Sequence, residues 1–170
     1  MVTLVRPTPA MKEAVLAYRQ AHFDHGEMSI DGGERLCRTP RYEDWLARVT
    51  ANADPATVDP SWVLTDTFLA LDDADEIVGV IDLRHELKGD LVDYGHCGYS
   101  VRPDRRRRGY AAEMLRQVLE VARGAGMTEV TLAAERDNIA SVRTIVKCGG
   151  QLVRSFDYGG QIADVYRIAL

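Results

Sequence analysis

Apolar residues recur every three or four positions in four stretches of the chain, and this spacing predicts four amphipathic helices. The four stretches cover residues 9–23, 42–49, 105–124 and 139–146. Short apolar runs rich in β-branched residues lie around them, and such runs predict strands. The strands are predicted over residues 3–6, 67–71, 77–85, 91–101, 129–134, 151–156 and 162–170. The mixture of helical and extended segments indicates an α/β protein.

The order of these elements is one strand, two helices, three strands, a helix, a strand, a helix and two strands. Three consecutive strands joined by short turns predict an antiparallel meander. The strand–helix–strand unit that follows predicts a right-handed parallel crossover, and the last two strands predict an antiparallel pair. A chain of 170 residues is expected to form one domain, here residues 1–170.

Composition narrows the class of protein. No apolar run approaches the ~18 residues of a membrane span, and the N-terminal segment lacks the pattern of a signal peptide. The three cysteines are odd in number and have no metal-like spacing, so reduced thiols are expected. These features predict a cytoplasmic protein that uses neither a membrane nor a metal.

Positive charge is concentrated in the turn before the third predicted helix. Residues 102–108 hold five arginines and one aspartate, in a chain whose net charge is −5. A helix N-terminus offers unpaired N–H groups, Gly109 lets a ligand approach the backbone, and arginines bind phosphate. The turn therefore predicts a site for a small phosphate-bearing ligand, with a solvated basic turn as the alternative. Nucleic acid is not expected, because it needs a broad basic face and the rest of the chain is acidic.

Two motifs resemble the GNAT N-acetyltransferase superfamily. The order Arg106-x-x-Gly109-x-Ala111 resembles its Arg/Gln-x-x-Gly-x-Gly/Ala signature, and residues 138–141 (Asn-Ile-Ala-Ser) resemble its Asn-bearing helix start. Residues 83–87 and 98–103 also resemble a subgroup of bacterial acetyltransferases whose acceptor is not assigned. The resemblance implies the GNAT acyl-CoA N-acyltransferase fold, of the α/β (α+β) class. In that fold a mixed, mostly antiparallel central sheet of about seven strands is flanked by about four helices, the order already predicted from the pattern.

The resemblance implies acetyl-CoA (coenzyme A) as co-substrate and no metal. In the superfamily the arginine–glycine loop holds the pyrophosphate, and a backbone N–H on the preceding strand stabilises the oxyanion, which here would be that of Val101. The residues implied at the cofactor are Tyr99, Ser100, Val101, Arg106, Arg107, Arg108, Gly109, Tyr110, Ala111, Ala112, Asn138 and Ser141.

The reaction implied is direct transfer of an acetyl group from acetyl-CoA to a primary amine of a small molecule or peptide, in a ternary complex. Many members use a tyrosine as proton donor where this chain has Ile145. Another group must supply that proton, or the thiolate leaves unaided. For the base, His96 is the first candidate because its ordinary pKa of ~6.5 suits proton removal at neutral pH. His85, on the facing strand, is the second candidate, and Glu135, at the end of the strand before the second motif, is the third.

Residues 24–39 predict a long, acidic, glycine-rich loop, which in the GNAT layout lies over the acceptor and would favour a cationic amine. A mobile surface loop is the alternative for this segment. There are two alternatives for the function. One is a catalytically silent acyl-CoA-binding module or sensor. The other is a nucleic-acid-binding protein, which the acidic charge of the rest of the chain disfavours. The sequence decides neither the acceptor, nor the range of acyl groups, nor whether a homodimer forms through the last strands.

Overall fold

The computed structural model describes residues 1–170 as seven strands and five helices. The strands are β1 Thr3–Val5, β2 Thr65–Leu71, β3 Ile77–Arg84, β4 Tyr99–Val101, β5 Glu129–Glu135, β6 Gln151–Tyr158 and β7 Gln161–Ala169. The helices are α1 Lys12–Asp24, α2 Tyr42–Asn52, α3 Leu91–Tyr94, α4 Tyr110–Gly124 and α5 Ile139–Lys147. None of these helices has the length and apolarity needed to cross a bilayer.

Two antiparallel sheets form the framework. The first has the strand order β1-β2-β3-β4 and the second has the order β5-β7-β6. All the paired strands within them are antiparallel, which confirms the predicted meander and the predicted final pair. β2 and β3 are buried along almost their whole length, because helices cover both faces of the first sheet.

The core has two apolar clusters on opposite faces of β2 and β3. One contains 18 buried residues and includes the inner faces of α4 and the second sheet. The other contains 10 buried residues and lies beneath α1 and α2. Phe68 and Ala70 belong to the first cluster and Leu69 between them belongs to the second, as expected for alternating side chains of a strand. Gly79 on β3 lets α4 pack closely, since a Cβ there would lie 2.6 Å from the Sδ of Met114.

The two sheets meet at one point and then separate. The N–H of His96 donates to the carbonyl of Thr131 at 2.7 Å, and Gly95 forms an isolated bridge with Leu132. Gly95 has φ +86°, and a Cβ would overlap the Thr131 carbonyl, so this join requires glycine. Beyond the join, β4 and β5 form no hydrogen-bonded pair. The strand–helix–strand unit, expected to form a right-handed parallel crossover, therefore connects two strands that are not paired with each other, and an opening lies between the sheets.

The strand predicted over residues 91–101 was wrong in its first half. Residues 91–94 form the short helix α3, in which the N–H of Val92 donates to the carbonyl of Gly89 at 3.2 Å. Leu91 is buried, whereas Val92 is 52% and Tyr94 is 41% exposed. No neighbouring strand covers this run, so its backbone satisfies its hydrogen bonds locally instead. His96, predicted on the strand, lies between α3 and β4.

The third predicted helix also begins later than residue 105. Arg107 has φ +63° and Gly109 has φ +85°, and a right-handed helix cannot continue through residues in the left-handed region. The chain forms a 3₁₀ turn at Pro103–Arg105 and an irregular loop before α4 begins at Tyr110. The glycine and the arginines therefore lie in the loop and not within the helix.

Candidate active site

The opening between β4 and β5 exposes the outer edge of β4. The N–H of Arg102 donates to the carbonyl of Val78 on β3 at 2.9 Å. Because successive residues of a strand direct their backbone groups to opposite sides, the N–H groups of Tyr99 and Val101 point away from β3. No strand pairs with β4 on that side. These two N–H groups are donors available to a ligand in the opening.

The N-terminus of α4 forms one wall of a cleft of about 600 Å³ at this opening. Gly109 is the N-cap residue, and no side chain caps the helix. The N–H groups of Tyr110, Ala111 and Ala112 have no backbone acceptor, since the first helical hydrogen bond is donated by Glu113. The helix dipole makes this end positive. Free N–H groups at a positive helix end can bind phosphate oxygens.

Basic side chains supply the rest of the positive charge in this cleft. Arg107 lies on the loop, and Arg143 and Lys147 lie on α5; all three line the cleft and none takes part in an ion pair. Arg105 differs, because it is tied to Glu76 in the turn between β2 and β3. The charge available to a phosphate therefore comes from both sides of the cleft and not from the whole arginine run.

Arg106 joins the loop at residues 102–109, named the cofactor loop for the role that the resemblance implies, to the long loop at residues 24–39. Its two terminal nitrogens donate to the carboxylate oxygens of Glu27 at 2.6 and 2.7 Å, and its Nε donates to the carbonyl of Val101 at 3.1 Å. The second oxygen of Glu27 lies 2.8 Å from Nδ1 of the buried His22. The hydrogen bonds from Arg106 lower the pKa of Glu27 to about 2, while burial lowers the pKa of His22. Sequence reasoning did not identify Glu27 as a partner of Arg106, because the two residues are 79 positions apart in the chain.

A second cavity, of about 350 Å³, adjoins the cleft. Both are lined by Asp31, Tyr99, Asn138 and Ser141, which therefore form the junction between them. The hydroxyls of Tyr99 and Ser141 are hydrogen-bonded at 2.9 Å, and the Asn138 side chain accepts from the N–H of Ser141 at 3.1 Å. Asn138 thus caps α5 while it lines the junction. The Tyr99 hydroxyl is consequently held where the two spaces meet.

Two carboxylates without ion-pair partners line this second cavity, Asp31 and Glu135. The Asp31 backbone is fixed because the Ser100 hydroxyl donates to its carbonyl at 2.9 Å. The next residue, Gly32, has φ +73° and packs so closely on Gly98 that a Cβ would overlap the Gly98 carbonyl. Although the Asp31 side chain reaches solvent, the surrounding walls displace much of its water and raise the pKa of its carboxyl.

Arg84 also lines the second cavity, but its charge is offset by Asp82. Its Nη2 lies 2.7 Å from the Asp82 carboxylate, and its Nη1 donates to the carbonyl of Gly95 at 3.1 Å. The Asp82 side chain is fully buried, which raises its pKa, and it accepts from the N–H of Gly98 at 2.6 Å. With this pair neutral overall, Asp31 and Glu135 give the cavity its negative character.

The structure brings nearly all of the residues expected at the cofactor into one place. Every one of them lines the cleft except Arg108, whose side chain is exposed outside it. The Ile145 side chain is 1% exposed within the core, so its position offers no group to the site. Ser141, one helical turn earlier on α5, carries a hydroxyl that is hydrogen-bonded to the Tyr99 hydroxyl of β4.

The three candidates for the base are placed very differently. Nδ1 of His96 accepts from the N–H of Thr131 at 3.0 Å, so the imidazole ring satisfies a β5 N–H that a neighbouring strand would otherwise satisfy. Burial lowers the pKa of His96. Nε2 of His85 lies 2.8 Å from the Asp66 carboxylate. Neither histidine lines the cleft or the second cavity, whereas Glu135 lines the second cavity. The strand pattern could not reveal this, because it does not show which residues the opening exposes.

Solved structures similar to this one include the acetyltransferase of the GNAT family from Streptococcus pneumoniae, with TM-score 0.74, 13% identity and coverage of 100% of both chains. The Microcin C7 self immunity acetyltransferase MccE, in complex with acetyl-CoA and AMP, has TM-score 0.72 and 13% identity over 99% of this chain and 92% of its own. A GCN5-related N-acetyltransferase from Kribbella flavida has TM-score 0.67 and 16% identity over 99% and 98%. At these identities the likeness establishes the fold. No curated protein sequence matches the chain.

The architecture is therefore the α/β fold shared with these acetyltransferase structures. Residues 3–151 match the family model described as the acetyltransferase (GNAT) domain. The chain belongs to the GNAT acetyltransferase family, as the resemblance of its two motifs implied. No group of three or more His, Cys, Asp or Glu side chains is arranged to hold a metal ion.

Proposed function

We propose that this chain is an acetyl-CoA-dependent N-acetyltransferase that transfers the acetyl group directly to a primary amine in a ternary complex. The observation that carries the proposal is the continuity of the two cavities. A cleft with unpaired N–H donors and unpaired basic side chains opens, at Tyr99, onto a cavity with two unpaired carboxylates. The cleft suits a phosphate-bearing donor and the cavity suits a cationic acceptor. Family membership supports the same reaction.

In this proposal the pyrophosphate of acetyl-CoA lies against the first N–H groups of α4, with Arg107, Arg143 and Lys147 around it. The thioester lies along the open edge of β4. The N–H of Val101 then faces the thioester oxygen and stabilises the negative charge that develops there during attack. MccE, which has the same fold, has been solved in complex with acetyl-CoA and AMP, in keeping with a nucleotide-bearing donor.

The chemical step needs a base, and of the three candidates from the sequence only Glu135 lines the cavity. Glu135 takes a proton from the ammonium group, and the neutral amine attacks the thioester carbon. The new C–N bond forms, the nitrogen of the tetrahedral intermediate loses its second proton to water, and the intermediate collapses as the C–S bond breaks to release the CoA thiolate. We assign the base to Glu135 and not to His96 or His85, because both histidines lie outside the cavity and are engaged in other hydrogen bonds.

The Tyr99 hydroxyl is the proposed proton donor to the leaving thiolate. It lies at the junction of the two cavities and is hydrogen-bonded to Ser141. Burial raises the pKa of Tyr99, so the hydroxyl stays protonated at neutral pH and remains available as a donor. It would replace the tyrosine that many relatives carry where this chain has Ile145.

A catalytically silent acyl-CoA-binding module is the second candidate, favoured by the buried Ile145 at the usual donor position. Donor binding with no turnover on any amine would support this second candidate over the enzyme. A homodimer through the last strands, which the sequence left undecided, stays untested.

The proposal is tested first by calorimetric titration of acetyl-CoA into the protein, with dephospho-CoA and ATP as comparison ligands. A Gly109→Val variant places a side chain directly in the cleft, where no protein atom lies within 4 Å of the new Cβ. Gly126→Val is the matched control, because Gly126 also has positive φ and open surroundings but lies at the far end of α4. We expect Gly109→Val to weaken acetyl-CoA binding by more than about tenfold, since the loop can no longer approach the phosphates.

Gly126→Val should carry the same backbone strain and bind acetyl-CoA as the wild type does. Equal affinity in the wild type and in Gly109→Val would contradict the site. Thiol release in the presence of amines then distinguishes the transferase from the silent module.

A further inference from the structure

One wall of the second cavity is aromatic. Tyr94, Phe156 and Tyr158 line it, together with the apolar side chains of Leu91 and Ala163. The rings of Tyr94 and Tyr158 meet edge to face with centroids 5.9 Å apart, and those of Phe156 and Tyr158 are 6.4 Å apart. Tyr94 is 41% and Tyr158 is 45% exposed. Large aromatic surfaces left open to a cavity are available to a ligand.

This wall is held together across two elements that are distant along the chain. Tyr94 lies on α3, whereas Phe156 and Tyr158 lie on β6. Arg154 on β6 donates to the carbonyl of Val92 at 2.7 Å and forms an ion pair with Asp93 at 2.8 Å. Its guanidinium lies over the Phe156 ring, 5.7 Å from the centroid. The same arginine therefore fixes α3 against β6 and orders the aromatic surface before a ligand arrives.

The end of the cavity that adjoins the cleft is acidic. Asp31 lines both spaces, and the Glu135 carbonyl accepts from the N–H of the junction residue Asn138 at 2.9 Å; neither carboxylate has an ion-pair partner. The cavity contains no lysine, and the charge of Arg84 is offset by the buried Asp82. The three aromatic side chains line the cavity and not the cleft, so a ligand in this space meets a carboxylate at the junction and aromatic faces away from it.

We infer that the acceptor is an arylalkylamine, a cationic amine carried by a short chain on an aromatic ring. This inference rests on the proposed function and adds the class of acceptor to it. The ammonium group lies at the acidic end, next to the thioester, and the ring packs on Tyr94 and Tyr158. The cavity of about 350 Å³ is at the lower end of the range for small-molecule sites, ~300–1,000 Å³, as a one-ring amine requires.

The experiment compares amines that have the same charge and different bodies: 2-phenylethylamine, 2-cyclohexylethylamine and n-butylamine. Rates are measured by thiol release from acetyl-CoA, and amine binding to the complex of the protein with CoA is measured by calorimetry. We expect kcat/KM to favour 2-phenylethylamine over n-butylamine by about tenfold or more, with the cyclohexyl amine between them, because aromatic pairs add to area burial.

The double variant Tyr94→Leu, Tyr158→Leu should abolish most of this preference while the affinity for acetyl-CoA stays unchanged. Leu152→Ala is the control on β6, the strand that carries Tyr158, since Leu152 is exposed and lies outside the cavity. It should retain the wild-type preference. The inference is overturned if the wild type does not prefer the aromatic amine, or if the preference survives in the double variant.

Failure of the acceptor-class inference can be distinguished from failure of the proposed transferase function. If acetyl-CoA does not bind, the transferase proposal fails, and the amine titrations are repeated on the protein alone. Tighter binding of 2-phenylethylamine than of n-butylamine, lost in the double variant, would still support the aromatic pocket. Equal binding of the two amines would overturn it. If acetyl-CoA binds and is used equally with all three amines, the transferase stands and only the acceptor class is wrong.

Discussion

The ion pair between Glu27 and Arg106 gives a prediction about stability and pH. Glu27→Gln keeps the size of the side chain and removes its charge. The variant leaves Arg106 with a single weaker acceptor in place of a bidentate carboxylate. It also weakens the hydrogen bond to the buried His22. Since this group of residues ties the long loop to the cofactor loop, its loss should lower the free energy of unfolding.

The magnitude follows from the pKa of Glu27, which is lowered from 4.5 to about 2. A difference of this size corresponds to about 3 kcal/mol in favour of the charged form. The side chain is 30% exposed, so water screens part of this interaction and a loss of about 1–2 kcal/mol is the reasonable expectation. A lowered pKa in the folded state means that the stabilisation is complete above pH 4.5 and is lost as the pH falls towards 2. The difference between wild type and variant should therefore be constant near neutral pH and shrink in acid.

Urea unfolding followed by tryptophan fluorescence, at a series of pH values from 7 down to 2.5, measures this difference. Glu120→Gln is a suitable control, because Glu120 pairs with Arg123 on an exposed helix face. Such exposed pairs contribute little, about 0.5 kcal/mol or less. The reasoning is refuted if Glu27→Gln is no less stable than Glu120→Gln at pH 7. It is equally refuted if the loss in Glu27→Gln stays the same size at pH 2.5.

Three further variants test packing and chemistry. Gly79→Ala should cost about 1–3 kcal/mol in urea unfolding, because the new methyl group would press on Met114, while Gly124→Ala, in open surroundings, should cost nothing. Tyr99→Phe should lower kcat for an amine about tenfold or more and leave the affinity for acetyl-CoA unchanged; an unaltered kcat would exclude Tyr99 as the proton donor. Glu135→Gln should lower kcat/KM for amines about a hundredfold or more at neutral pH, and a wild-type rate would remove it as the base.

The part of the cleft formed by the arginine loop and the start of α4 could be anticipated, because these residues are contiguous in the chain. The arginines and the start of α4 lie within a few residues of each other, and the N-cap glycine between them, Gly109, is visible in the sequence. Even so, the exact start of α4 depends on the left-handed conformation of Arg107, which composition does not predict. Arg108 looked equivalent to its neighbours, yet the loop turns its side chain outside the cleft.

The second cavity, which we propose holds the acceptor, could not be anticipated, because distant segments build it. Asp31 comes from the long loop, Tyr94 from a helix expected to be a strand, and Tyr158 from the final hairpin. The long acidic loop did suggest a cation, but it did not show which carboxylate reaches the cavity. The histidines were favoured for their ordinary pKa, and only tertiary structure shows that both are engaged elsewhere.

The open edge of β4 is shielded from the addition of a strand by another chain. Exposed strand edges with unpaired N–H groups are templates onto which another chain can add a strand, with fibre formation as the extreme result. Here the edge is only three residues long and lies inside a cleft walled by α4 and α5. A second polypeptide strand would need side chains on both faces and would collide with these helices. A slender molecule without such side chains can still reach the edge, so the fold keeps its reactive backbone available while it excludes other protein chains.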